Sequence, residues 1–301
     1  MDFGRVANIE TIDFTLPPNH DGTMKVLGGS KADKCMVYVG CPIWAEPGFV
    51  GTIYPLKTKS KDFPKHYGQQ FNSIELNISH YKQLDKDTIE HWVDVTASDF
   101  KFCPKVNQMV SHTPHIKQNA DYMKALIDTN HYFKQKLGMP FLQLPPNYDS
   151  TKIDDLVQFI DDVALSSFAI ELRHESWFKN DLLLKQLCNY FYKNNLTLLL
   201  TDTAGRRDVL HQRLTTKTAF IRFVANDLHP TDYIRMNEWI VRLKHWIDNG
   251  LKELYFFIHT PTHAIMPDIA IYFITEFNKQ TGMNVRLPKL IATKKEFNKL
   301  F

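Results

Sequence analysis

"FAIELRHESWF", residues 168–178, begins as a buried strand and then places charge where a buried strand should avoid it. Ile170 and Leu172 alternate with Glu171 and Arg173, His174 follows, and Trp177-Phe178 closes the stretch. Successive strand side chains point to opposite faces, so the Glu and the Arg share one face and the aliphatics share the other. The strand therefore has an apolar side to bury and a second side that wants charge near its end.

Seven further runs have strand character: "CMVYVGC" (35–41), "SIELN" (73–77), "KFCPKV" (101–106), "FLQLPP" (141–146), "TLLLTD" (197–202), "AFIRFV" (219–224) and "LYFFIHT" (254–260). Helical patterns separate them. "DYMKALIDTNHYFKQKLG" spaces Tyr122, Leu126 and Phe133 and stops at Gly138. "STKIDDLVQFIDDVAL" offers Ser150 as a cap, with Asp154 and Asp155 in its first turns. "MNEWIVRLKHWIDNG" aligns Trp239, Leu243 and Trp246 and ends at Asn249-Gly250. Strands alternating with helices imply parallel βαβ units, and eight of them predict a closed (β/α)₈ TIM barrel. An open doubly wound sheet is the alternative, but no Gly-rich phosphate fingerprint follows the first strand. The expected organisation is a single barrel domain over 35–301, an N-terminal extension over 1–34 wrapping its outside or floor, and a short basic C-terminal segment. In that segment Leu287, Leu290, Ile291, Phe297 and Leu300 are expected to dock.

Composition limits the partners. The 301 residues are 44% hydrophobic and 23% charged, with 21 Phe and 12 Tyr, as in ordinary globular chains. A net charge of +3 argues neither for nucleic acid nor for an anionic membrane. No apolar run approaches the roughly 20 residues of a membrane span, and "MDFGRVANIE" lacks the shape of a signal peptide. Cys35, Cys41, Cys103 and Cys188 form no C-x-x-C pair and read as free thiols, with a cytoplasmic location expected.

In a barrel the outward sets are Ile74/Leu76, Leu142/Leu144, Ile170/Leu172, Ile221/Phe223 and Phe256/Ile258. Glu75/Asn77, Gln143, Glu171/Arg173, Arg222 and His259 then face inward, with Lys105 and Asp202 at their own strand ends. Each pair alone fits an ion pair plugging the interior. So many polar groups near the C-terminal ends, where barrel enzymes build their sites, point to a ligand site.

These residues occur within a recognisable set of motifs. "VGCPIWAEPGFVGTIYP", "FNSIELNISHY", "FKFCPKVNQMVSHT", "LQLPPNY" and "IELRHESWF" appear in order, and the chain from about 36 to 280 resembles the YecE-like family of TIM-barrel proteins, a domain of unknown function (number 72). The resemblance picks out Glu75, Asn77, Tyr81, Lys105, His112, Gln143, Glu171, Arg173, His174 and Trp177. Two stretches depart from the family pattern. Strand seven reads "IRFVAND", keeping Arg222 but losing a family His, and strand eight reads "FFIHTP", with His259 in place of paired asparagines. The resemblance implies the fold and the site but supplies no reaction.

Chemistry follows from residue type. Glu75, Glu171, Lys105 and His174 are the candidate catalytic set, the two carboxylates serving as acid and base if their surroundings separate their pKa values. Trp44, Asn77, Tyr81, His112, Gln143, Arg173, Trp177, Asp202, Arg222 and His259 are candidate substrate-binding residues. Arg206-Arg207 extend the cationic rim, and arginine forks suit phosphate or carboxylate. The spacings His259/His263 and His112/His115 could chelate, but neither pair sits on a sustained helix and the rim cations would repel a divalent ion. No cofactor is predicted, and a divalent metal is the alternative that the residues leave open but do not favour. Three functions stay open: a hydrolase- or isomerase-like enzyme for a small anionic or sugar-containing substrate, a nucleic-acid-binding or nuclease-like protein, and a non-catalytic ligand sensor.

Overall fold

The computed structural model describes residue 6 and residues 8–291. All eight expected runs form strands, and one is broken at Leu199. In chain order they are β1 (Met36–Cys41), β2 (Ser73–Leu76), β3 (Lys101–Pro104), β4 (Phe141–Gln143), β5 (Ala169–Glu171), β6 (Thr197–Leu198), β7 (Leu200–Asp202), β8 (Thr218–Val224) and β9 (Glu253–His259). All pairings are parallel, in a six-stranded sheet ordered β3-β2-β1-β9-β8-β7 and a three-stranded sheet ordered β4-β5-β6. The fold is α/β with a parallel central sheet.

The two sheets approach each other at both edges. Beyond the end of β3, Lys105 bridges to Phe141, and the Val106 N–H donates to the Phe141 carbonyl at 2.8 Å. At the other edge only Leu199 separates β6 from β7, and its N–H donates to the Ile170 carbonyl of β5 at 2.9 Å. Beside β6 a side chain satisfies the backbone: Leu198 N–H donates to Thr215 Oγ1 (2.8 Å), which donates to the Leu196 carbonyl (2.6 Å).

Period-2 alternation places the layers. The outward sets lie in two large clusters beneath the helices. A third cluster draws Tyr38, Cys103, Phe141, Ala169, Leu199, Phe220, Tyr255 and Phe257 from both sheets. Phe141 of the small sheet meets Phe220 of the large one at 5.3 Å between ring centroids. This aromatic layer underlies the charged groups at the strand ends.

The helical readings hold with small shifts. Helix Ile153–Val163 carries Asp154 and Asp155 in its first turn, but Asp149 caps the preceding 3-10 turn by accepting from Thr151 N–H (2.9 Å), so the cap falls one residue before Ser150. Helix Pro230–Asp248 buries Trp239, Leu243 and Trp246. Gly250, just after it, has φ +117°, and a Cβ there would lie 2.3 Å from the Leu27 carbonyl oxygen, so both conformation and space call for glycine.

Between β7 and β8 there is only a 3-10 turn, Arg207–Val209, and no α-helix. The N-terminal extension covers that gap. Thr23 Oγ1 in helix Asp21–Leu27 donates to the Gln212 carbonyl (2.7 Å) and accepts from Leu214 N–H (2.9 Å). Asn19 accepts from the Trp246 indole (2.8 Å), Glu238 accepts from Leu16 N–H (3.0 Å), and the Phe14 ring lies 4.9 Å from the Arg235 guanidinium. The extension thus wraps the outside, as expected, in place of a missing helix.

The C-terminal segment docks differently from expectation. Leu287 and Leu290 are exposed. Arg286 makes the attachment, donating to the Gly68 and Phe71 carbonyls (2.8 and 3.0 Å) and pairing with Asp99, while Ile291 N–H donates to the Thr52 carbonyl. A charged fork that finds two carbonyls outcompetes isolated leucines on an open surface. Phe297 and Leu300 lie outside the described residues. The four cysteines are free, and no described helix is long and apolar enough to cross a membrane.

Replacing Thr23 by Val keeps its shape and strands the Gln212 carbonyl and the Leu214 N–H, each at a cost of about 1–3 kcal/mol. A urea melt of Thr23→Val is expected to show that loss. An unchanged midpoint would mean the extension is not part of the cooperative unit.

Candidate functional site

The charged groups converge at the C-terminal ends of the strands around Arg222, whose side chain is 1% exposed. Its Nε and NH2 donate to Glu75 (2.9 and 3.0 Å), and its NH1 donates to Glu171 Oε2 (3.0 Å). Glu75 comes from β2, Glu171 from β5 and Arg222 from β8, so one guanidinium joins three strands of two sheets. The Phe141 ring lies 5.9 Å below it.

Each carboxylate is saturated. Glu75 also accepts from Asn77 Nδ2 (3.0 Å) and makes a 2.9 Å hydrogen bond with His259 Nε2. Glu171 also accepts from Arg173 Nε (2.9 Å), Thr201 Oγ1 (2.8 Å) and Gln143 Nε2. Four hydrogen bonds fill about all the acceptor positions a carboxylate has. Burial alone would raise both carboxyls, but their partners outweigh it: the Arg222 charge and the hydrogen bond from His259 hold Glu75, and Arg173 and Arg222 hold Glu171, well below the usual carboxylate range. The pair therefore stays ionised at neutral pH, and the expected separation into an acid and a base does not occur. Burial, against the opposing pull of Glu75, lowers the His259 pKa, so its contact with Glu75 is a hydrogen bond from a neutral ring.

Lys105 is different. It is 4% exposed, yet its Nζ makes one hydrogen bond, to Gln143 Oε1 at 2.8 Å. Burial, then the nearby Arg222, pulls its pKa down to about 8 against Glu75 and Glu171. Two histidines stand near it. His80 Nδ1 bonds the Val106 carbonyl (2.8 Å), and burial followed by Lys105 lowers its pKa to about 4. His112, its ring 5.0 Å from that of His80, is lowered by burial, Lys105 and Arg173. With these histidines neutral, the described cations Lys105, Arg173 and Arg222 face the two carboxylates Glu75 and Glu171.

Over residues 38–292 the chain matches the family described as "Protein of unknown function DUF72". The chain belongs to this family. Among DUF72 relatives, the UPF0759 protein YecE of Escherichia coli K12 is 23% identical over 253 residues, covering 78% of this chain and 90% of that protein, and the O157:H7 protein gives the same figures. Two crystal structures of a DUF72 family protein from Enterococcus faecalis V583 superpose with TM-scores of 0.63 and 0.57 at 16% identity, covering 85% and 84% of this chain and all of theirs. That likeness is one of fold, and the DUF72 description carries no reaction.

Glu75, Asn77, Lys105, Gln143, Glu171, Arg173, Arg222 and His259 thus form one connected group, with His112 beside it. Other expected residues stand elsewhere. Asp202 shares the outward face with Leu200, where it pairs with Arg235 (2.7 Å) and Arg207 and accepts from the Trp239 indole (2.7 Å). Trp44 packs edge-on against Tyr67, Trp92 and Phe102 in the core. Trp177 is fully buried, its indole donating to the Tyr148 carbonyl (2.8 Å). His174 turns back to Ser176, 2.9 Å from its hydroxyl. Tyr81 is 69% exposed and touches only the edge of the group through His80. Arg206 binds Asp208 and the Arg173 carbonyl, while Arg207 binds Asp202 and the Phe14 carbonyl, so this pair braces the loop.

Among the described residues, no group of three or more His, Cys, Asp or Glu gathers as metal ligands would. His259 turns to Glu75 while His263 lies 3.7 Å from Glu46, and His115 lies 3.8 Å from Asp155. Two participants were missed, His80 and Thr201. Thr201 was hidden because the three leucines of "TLLLTD" mask the alternation that would have shown its face.

Glu171→Gln leaves Arg173 and Arg222 short of a buried counter-charge. The expected loss is about 3–5 kcal/mol in chemical denaturation, and an unshifted midpoint would contradict the network.

Lys105 gives a second test. Its folded pKa, about 8, lies below the free value of 10.5, so the unfolded chain holds more protons between those limits. Its contribution to stability therefore rises with pH across that window. The stability difference between wild type and Lys105→Met should drift in favour of wild type from pH 8 to 10.5. A flat difference would mean that Lys105 titrates as an exposed lysine.

Proposed function

We propose that the two sheets close into a (β/α)₈ barrel through the Lys105–Phe141 and Leu199–Ile170 contacts, and that its C-terminal mouth binds a small anionic, sugar-like substrate on which the protein acts as an enzyme. The observation that carries this reading is Lys105: a nearly buried amine at a strand end, held by one hydrogen bond and titrating near neutrality. A lysine of that kind exchanges protons at working pH, as a general acid or base must. The three described cations, Lys105, Arg173 and Arg222, set against two carboxylates support an anionic substrate.

In this reading Lys105 transfers the proton. Glu75 and Glu171 position Arg222 and Arg173 and are not themselves the acid and base. Saturated carboxylates speak against glycoside hydrolysis, which needs two carboxyl groups free to work on opposite sides of a bond. An isomerase-like proton transfer next to a carbonyl fits a single basic amine better.

Millimolar inorganic phosphate should raise the Tm of the wild type through mass action and leave that of Lys105→Met nearly unmoved. The same addition should raise the His112 pKa, followed by its ring proton resonance and assigned with His112→Gln, because a bound anion offsets the cations that depress it. If phosphate and sulfate move neither quantity, the anion reading fails.

A further inference from the structure

The loop after β1 and the C-terminal segment build a surface that is basic and aliphatic together. Residues 51–65 and 287–291 hold five lysines, Lys57, Lys59, Lys61, Lys65 and Lys289, and one acid, Asp62. All five lysines are exposed, and none makes an ion pair among the described residues. The net charge of the whole chain is only +3, so its positive charge is concentrated here and the remainder is near neutral. Two leucines stand among the lysines, Leu56 at 76% exposure and Leu290 at 55%.

The two segments are fixed against each other. Thr58 N–H and Oγ1 both donate to the Pro55 carbonyl (3.2 and 2.6 Å), closing a turn with Leu56 and Lys57 at its corners. Tyr54, just before the turn, is buried. Its hydroxyl donates to the Trp44 carbonyl (2.9 Å), and its ring lies 5.2 Å from that of Phe63. A buried root thus holds an exposed tip. The tip leans over Gly51, where an added Cβ would lie 3.1 Å from the Leu56 side chain. Next to Gly51, the Thr52 carbonyl accepts from Ile291 N–H (2.6 Å). Gln70 accepts from Lys289 N–H (2.8 Å) and donates to the Ile53 carbonyl (3.0 Å). Lys289 and Leu290 therefore share one surface with Leu56 and Lys57, although they come from opposite ends of the chain.

The residue types choose the partner. Nucleic-acid surfaces draw on arginine forks for phosphates and on aromatic platforms for bases. These segments expose neither: Tyr54 and Phe63 are buried, and Arg286 is committed to Asp99 and to the Gly68 and Phe71 carbonyls. Lysine ammoniums are point charges suited to diffuse negative charge, and an exposed leucine gains by leaving water. A leucine projecting from a turn is a knob, which suits a soft surface able to close around it. We propose that this face rests on an anionic lipid surface, with Leu56 and Leu290 entering the headgroup boundary and the five lysines facing the lipid charge. The association is peripheral and independent of the anion reading at Lys105.

Co-sedimentation of the full chain with phosphatidylcholine vesicles, with and without about 30% phosphatidylserine, tests this. Wild type is expected to sediment with the anionic vesicles and not with the neutral ones. The double variant Lys57→Gln, Lys59→Gln should bind at least about tenfold more weakly and with a shallower salt dependence. Leu56→Ser should bind at least about threefold more weakly with the salt dependence of wild type. All three positions are exposed, so both variants should keep the wild-type Tm, measured alongside. Absence of binding to anionic vesicles, equal binding to neutral ones, or unaltered binding by the lysine variant overturns the inference. Vesicle binding that Leu56→Ser leaves unchanged, or that duplex DNA matches in strength, makes the face a general polyanion binder and overturns it too.

Discussion

Arg222 connects two carboxylates that reach it from separate sheets, and the rest of the molecule is arranged so that this contact can exist away from water. An arginine and two glutamates transferred separately into a protein interior would each cost several kcal/mol. Together they share three hydrogen bonds, and His259 and Arg173 add one more to each carboxylate. The aromatic layer below, with Phe141 under the guanidinium, keeps solvent from entering from beneath. Because Glu75 lies on β2, Glu171 on β5 and Arg222 on β8, the register of three strands must be right before any of these charges is satisfied. The network thus rewards one alignment of the sheets and penalises every slipped one.

The same saturation separates structure from chemistry. Groups that hold each other in four-fold coordination are poor proton carriers, since moving a proton onto either carboxylate would break an ion pair. Reactivity falls to the members left underused, and Lys105 is the clearest of these. It is fixed by the bridge to Phe141 and by Gln143, which passes from Lys105 to Glu171 and ties the amine to the network without neutralising it.

Much of this was legible in the chain. Strands with clean alternation, such as "SIELN", "FAIELR" and "AFIRFV", declared both their existence and their faces, and Glu75, Glu171 and Arg222 followed from parity alone. "TLLLTD" has no alternation to read, so Asp202 was assigned by its place at a strand end and falls on the opposite side, against Arg235 and Trp239. Trp44 and Trp177 were taken for rim residues because they lie near strand ends, but large rings next to a core are drawn down into it. The saturation of the carboxylates left no local trace, because counting their donors requires coordinates.

The N-terminal segment carries a consequence for how the chain assembles. Its anchors lie far away: Thr23 binds a residue 191 positions later, Leu16 one 222 later and Asn19 one 227 later. During synthesis residues 14–27 emerge early and wait for their partners, first Arg207, Gln212 and Leu214 and then helix Pro230–Asp248. For most of translation, Phe14, Leu16 and Leu27 have nothing to bury against, and the wall between β7 and β8 has no cover. Such long loops must close before their contacts repay the lost entropy, which slows the final step and lengthens the life of a partly open intermediate. The part of the chain made first is therefore the part that locks last, and the seam it covers is where an unfinished molecule is most open to proteases and to other copies of itself.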